Sequence, residues 1–91
     1  MGASGKTRFE LIGPRSPEAL ICQCRSAGMR IGRTGSAVMR AVAQAQDPFD
    51  FDAVWAGARQ IEPAISRDTI YRSLRRLRSV GLIRDHTLNT R

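Results

Sequence analysis

Histidine, cysteine and aromatic residues are scarce in this chain. It has one histidine and two cysteines, and only 5% of its residues are aromatic. A structural zinc needs about four Cys or His ligands in tetrahedral reach, and His86, Cys22 and Cys24 fall short of that set. On a helix, positions i and i+2 point about 200° apart, so Cys22 and Cys24 suit neither a mutual disulfide nor a shared metal. They read as packing and surface residues. Asp50 and Asp52 are the nearest approach to a catalytic carboxylate pair, but capping and the helix dipole explain that spacing, and no nucleophile or base accompanies them. No catalytic residue, metal site or cofactor is expected. Also missing are the ~18 apolar residues of a bilayer span and the apolar core of a secretory signal. The expectation is a soluble cytoplasmic protein that is not an enzyme.

What is abundant is positive charge. Fifteen Lys and Arg against eight Asp and Glu leave a net charge of +7, and the pI is near 11.3. Lys6 is the only lysine, so the charge is almost entirely arginine. Such a balance points to a polyanion, either nucleic acid or an anionic membrane. At 91 residues there is room for one small domain, burying ~60–65% of its unfolded surface.

Residues 1–16 contain Gly2, Ser4, Gly5, Gly13, Pro14 and Ser16 and read as a flexible basic arm, with a short extended piece at Phe9 to Ile12. Gly2 to Thr7 ends like a phosphate-binding loop but lacks that motif's first glycine and its preceding strand. Lys6 stands where an N-myristoylation signal needs Ser or Thr. The folded domain is expected over residues 17–91. Ser16-Pro17-Glu18 is a helix start, running to about Ala27 and stopping at Gly28. A second helix begins at Arg33 or Thr34, with Val38, Ala41, Val42 and Ala45 as its apolar stripe and Arg33 and Arg40 off it. A third begins at Asp50 or Asp52, buries Val54, Trp55, Ala58 and Ile61, and stops before Pro63; Trp55 is expected to anchor the core.

The fourth helix carries the most information. Ile70, Leu74 and Leu77 fall at i, i+4 and i+7, and Val80 extends the stripe. Ser66 or Asp68 can cap the first turn, and Gly81 can end the helix in the left-handed conformation. Arg67, Tyr71, Arg75 and Arg78 share another face, with Arg72 and Arg76 beside it and almost no compensating acid. Guanidinium forks match phosphate oxygens or the guanine edge, and a tyrosine can touch a thymine methyl or donate to phosphate. The bland alternative is a solvated basic face. Its apolar stripe is too narrow for membrane binding. A strand over Leu82 to His86 follows, with no partner strand expected in the chain. Helices followed by a strand give the order of a winged helix-turn-helix. The expected fold is mainly α, with four helices and a short C-terminal wing whose completion the sequence leaves open.

From Gly28 to about Asp85 the chain resembles the N-terminal DNA-binding domain of the ferric uptake regulator family. The family's Gly-Leu-Arg-hydrophobic-Thr opening corresponds to Gly28-Met29-Arg30-Ile31-Gly32. Its Thr-Val-Tyr-Arg helix corresponds to Thr69-Ile70-Tyr71-Arg72 within Ser66 to Leu74, closing with Leu77, Gly81, Leu82 and Ile83. The resemblance implies that Tyr71 and Arg72 face the major groove and that Arg30 reaches an A·T-rich minor groove. Helical geometry adds Arg67, Arg75 and Arg78 as phosphate contacts. With Arg33 and Thr69 these make the expected DNA-binding set. Gly32 and Gly35 depart from the family's Thr and Arg, removing a helix cap and one backbone-contacting charge. The family's dimerisation domain and most of its metal ligands would lie beyond Arg91, so neither metal sensing nor the usual dimerisation carries over.

The function expected is sequence-specific binding of double-stranded DNA by a nucleoid-associated transcriptional regulator, with residues 66–80 in the major groove. A lone module buries only about 600–1,000 Å² on DNA, so a homodimer or an accessory protein is expected as well. The alternative is a truncated, regulator-like interaction protein that modulates a full-length regulator or the transcription machinery. Its physical motive is the unpaired edge of the strand over Leu82 to His86.

Overall fold

The computed structural model describes residues 7–86. Along the chain run β1 (Arg8–Leu11), α1 (Pro17–Ser26), α2 (Arg33–Gln44), β2 (Phe49–Asp50), α3 (Phe51–Ile61), α4 (Arg67–Ser79) and β3 (Ile83–His86). The four helices lie where capping and periodicity put them. Ser16 Oγ accepts from the Ala19 N–H, Asp50 Oδ1 from Ala53 and Ser66 Oγ from Thr69, so α1, α3 and α4 each satisfy one of their free first-turn donors. Helix α2 starts at Gly32 with no side-chain cap, the consequence expected of glycine at that position.

Helices α1 and α4 end the same way. Gly28 and Gly81 have φ of +91° and +83°, and the next residue reaches back over the last turn: Met29 N–H to Cys24 O at 3.0 Å, Leu82 N–H to Leu77 O at 2.9 Å. Gly28 N–H to Arg25 O and Gly81 N–H to Arg78 O complete two Schellman motifs. The second sends the chain directly from α4 into β3.

The sheet is where the sequence reading needs correction. Its strand order is β2-β1-β3, all antiparallel. Residues Arg8–Leu11, read as part of an arm with a short extended piece at Phe9 to Ile12, do form a strand, but it is the middle strand of a sheet. They pair Arg8 with Asp50 and Phe9 with Phe49 on one side, and Arg8, Phe9, Glu10 and Leu11 with His86, Asp85, Arg84 and Ile83 on the other. The partner strand that β3 was not expected to find in the chain is therefore β1, and β3 is the outer strand of the sheet among the described residues. The physical reason is alternation: Phe9 and Leu11 pack against the core, while Glu10 meets Arg84 and His86. The flexibility expected of residues 1–6 and the completion of the wing after His86 lie outside the described residues.

The core gathers Leu20, Cys24, Val38, Met39, Val42, Val54, Ile70, Leu77 and Ile83, all essentially inaccessible. Each such Leu, Ile or Val contributes ~1.5–3 kcal/mol by leaving water. Cys24 points its Sγ at Met39 Sδ, 3.6 Å away, and burial pushes its thiol pKa up. Cys22, on the same helix, is exposed. Phe49, 2% accessible, is the aromatic anchor, tilted against Phe9 with ring centroids 5.8 Å apart. Trp55 was expected in that role but is half-buried, because Val54 and Ala58 take the inward face of α3 and the next position turns ~100° away. Ile61, also expected inside, is the last residue of α3 and is 44% accessible. Helices α2 and α3 pack closely where Gly57 meets Ala41: a Cβ at Gly57 would stand 3.1 Å from Ala41 Cβ.

Candidate nucleic-acid interface

Helix α4 divides cleanly. Ile70, Leu74 and Leu77 are buried, while Arg67, Tyr71, Arg72, Arg75, Arg76 and Arg78 are exposed. Tyr71, at 61%, is the most accessible large apolar side chain among the described residues. Arg67, Tyr71, Arg75 and Arg78 line one side of an open groove of about 1030 Å³ whose other walls include Phe9, Phe51, Asp50, Asp52 and Asp85. Arg72 is not part of this lining, though its partner Asp68 is.

Acid is more present on this surface than the sequence reading allowed. Arg72 Nη2 lies 2.5 Å from Asp68 Oδ2, one turn earlier, and its Nε donates to the same oxygen at 3.1 Å. Arg78 reaches Asp85 of β3 at 3.2 Å. Both pairs are solvated, and an i, i+4 pair of this kind contributes only ~0.3–0.5 kcal/mol, so a phosphate competes easily for either guanidinium. Arg30 follows α1 and is exposed. Arg33 leans towards Glu62 at 3.6 Å, linking the start of α2 to the end of α3. Thr69 is half-buried, its hydroxyl hydrogen-bonded with Ser66 Oγ at 3.0 Å within the α4 cap. The structure thus brings Arg67, Tyr71, Arg75 and Arg78 together and leaves Arg30 and Arg33 on other elements.

Sequence reasoning missed how Tyr71 and Arg67 are held. The Tyr71 ring meets Phe51 edge-on, centroids 5.7 Å apart, and Phe51 lies 6.3 Å from Trp55. The Arg67 guanidinium sits over both Phe51 and Trp55, at 4.8 and 4.5 Å, and Arg59 sits over Trp55 at 4.5 Å. Trp55 Nε1 is buried with no acceptor among the described residues, a cost of ~1–3 kcal/mol. Two cation–π contacts of ~0.5–1 kcal/mol and an aromatic pair of similar size offset it. The i, i+4 spacings of Phe51, Trp55 and Arg59 were the available signal.

Glu10 organises the far strand pair. The hydrogen bond from His86 Nδ1, and then that from Arg84 Nε at 2.9 Å, hold its carboxyl below the ordinary glutamate pKa.

A model of the ferric uptake regulator family matches residues 26–91. The chain belongs to that family. No curated protein and no solved structure matches it. Ferric uptake regulator family members are regulators and not enzymes, and membership makes this a DNA-binding domain of the transcriptional-regulator kind. Among the described residues no three His, Cys, Asp or Glu side chains are placed to hold an ion; Cys24 faces Met39 and His86 faces Glu10. Among those residues, too, no helix is long and apolar enough to cross a membrane.

Proposed function

We propose that this member of the ferric uptake regulator family is a sequence-specific double-stranded DNA-binding protein that regulates transcription, inserting residues 66–80 into the major groove. The observation that carries it is the outward presentation of Tyr71 and Arg72 from a helix whose opposite face is locked into the core. Tyr71 and Arg72 read base edges, while Arg75 and Arg78, with Arg67, neutralise phosphates. Arg30 and Arg33 contact the backbone or an adjacent minor groove, and Thr69 fixes the start of the helix. Phosphate neutralisation supplies most of the affinity, which therefore falls steeply with salt. The small footprint of one module favours a homodimer or an accessory protein at the cytoplasmic chromosome.

The test is enrichment of bound fragments from genomic DNA at near-physiological salt, beside the variant Tyr71→Ala/Arg72→Ala. Recovery of a defined A·T-containing site by the wild type alone supports the proposal. Equal, unselective recovery by both proteins refutes it, leaving only generic attraction between arginine and phosphate.

A further inference from the structure

Among the described residues, Arg59 and Arg67 are held by an aromatic ring where six other arginines are held by a carboxylate. Arg15, Arg33, Arg40, Arg72, Arg78 and Arg84 each face a carboxylate. Arg59, on α3, and Arg67, on α4, face none; their guanidiniums rest on the Trp55 ring, both 4.5 Å from its centroid. Both residues are exposed.

Stacking of this kind spends the π face of a guanidinium and leaves its in-plane N–H groups unspent. Two cations held on one ring, neither ion-paired with a described carboxylate, also repel each other. An anion bonded to both replaces that repulsion with charge-assisted hydrogen bonds, and the ring has already removed much of the side-chain freedom that such bonding would otherwise cost. Arg67 additionally touches Phe51, the ring against which Tyr71 rests, so the pair adjoins the surface assigned to base reading.

We propose that Arg59 and Arg67, stacked on Trp55, form a clamp for a backbone phosphodiester of the DNA, a contact that sets the register of Tyr71 and is indifferent to sequence. This rests on the DNA-binding reading above. Arg59 is the residue it adds, and Trp55 is a positioning residue, acting through the two guanidiniums.

The experiment uses the full chain and two fluorescein-labelled duplexes, one selected from random-sequence DNA by the wild type and one scrambled. Binding anisotropy is measured between 50 and 200 mM salt for wild type, Arg59→Ala, Arg59→Lys, Trp55→Leu and Tyr71→Ala/Arg72→Ala, with thermal melts confirming that each variant is folded. Arg59→Ala is expected to weaken binding to both duplexes by the same factor, roughly five- to tenfold, and to flatten the slope of log K against log salt by ~1. Arg59→Lys, which keeps the charge but loses the planar stack, should recover the slope and only part of the affinity. Folded Trp55→Leu should lose affinity with both arginines in place. An unchanged affinity and slope in Arg59→Ala, while Tyr71→Ala/Arg72→Ala loses its preference for the selected duplex, would overturn the clamp and leave the DNA-reading function standing. A wild type that selects no sequence would defeat that function, and the scrambled duplex would still show whether Arg59 meets a phosphate.

Discussion

Gly57 faces Ala41 across the α2–α3 contact, and alanine at position 57 sets two effects against each other. Mid-helix, Gly→Ala gains ~0.8–1 kcal/mol of helix propensity. The new Cβ, however, would stand 3.1 Å from Ala41 Cβ and 3.6 Å from its Cα. Ala41 is 5% accessible, and its methyl is fixed to the backbone of α2, so it has no rotamer through which to move away. Relief requires the two helices to separate, and overpacking of that kind costs about 1–3 kcal/mol. The clash should win by ~1 kcal/mol, which in a domain of this size lowers Tm by roughly 4–8 °C. The informative assay is a double-mutant cycle of wild type, Gly57→Ala, Ala41→Gly and Ala41→Gly/Gly57→Ala, followed by urea unfolding and far-UV circular dichroism. Ala41→Gly alone should lose ~1 kcal/mol of propensity. The double variant moves the methyl from one helix to the other and should return close to wild-type stability, a coupling of about 2 kcal/mol between the sites. A Gly57→Ala protein that melts several degrees higher, with additive effects in the double variant, would refute the reasoning and show that the helices have slack.

Two further perturbations follow. Ser66→Ala removes the side-chain cap of α4 and the partner of the Thr69 hydroxyl; it should cost ~1 kcal/mol in chemical denaturation, and Ser66→Asp should restore most of it. Glu10 has a depressed carboxyl pKa in the folded protein, so its contribution is fully present above the unfolded glutamate value of ~4.3 and is lost as pH falls through the lower folded value. Thermal melts should therefore show wild type and Glu10→Gln converging as the medium becomes more acid than this and separating near neutrality. A gap that stays constant across that range would contradict the assignment.

The parts of the fold written in neighbouring residues were legible. Caps at Ser16, Asp50 and Ser66, stops at Gly28 and Gly81 and the stripe through Ile70, Leu74 and Leu77 are all satisfied within a turn or two of chain. The sheet is different: Glu10 and Arg84 meet across 74 positions, and four residues of alternation cannot announce so distant a partner. On the candidate interface, the exposed face of α4 followed from periodicity. Asp68 and Arg72 stand at the i, i+4 spacing of an ion pair, so their contact was readable, whereas the reach of Arg78 to Asp85 depends on the turn at Gly81. The size of Trp55 suggests full burial, and the boundary position of its ring only emerges once Val54 and Ala58 have taken the inward face.

The placement of β1 also has a kinetic consequence. Helices α1 to α4 can form and dock from contacts close along the chain, the kind that assemble fast. Strand β1 is made before all of them, yet its longer ladder needs residues 83–86, which leave the ribosome after α4. Closure of that ladder joins the most distant parts of the described chain, contacts of the long sequence separation that slows folding. The helices should therefore be in place first, with the pairing of Arg8–Leu11 to Ile83–His86 as the late step, and during synthesis β1 must keep its backbone hydrated through the time taken to translate the intervening seventy residues or so.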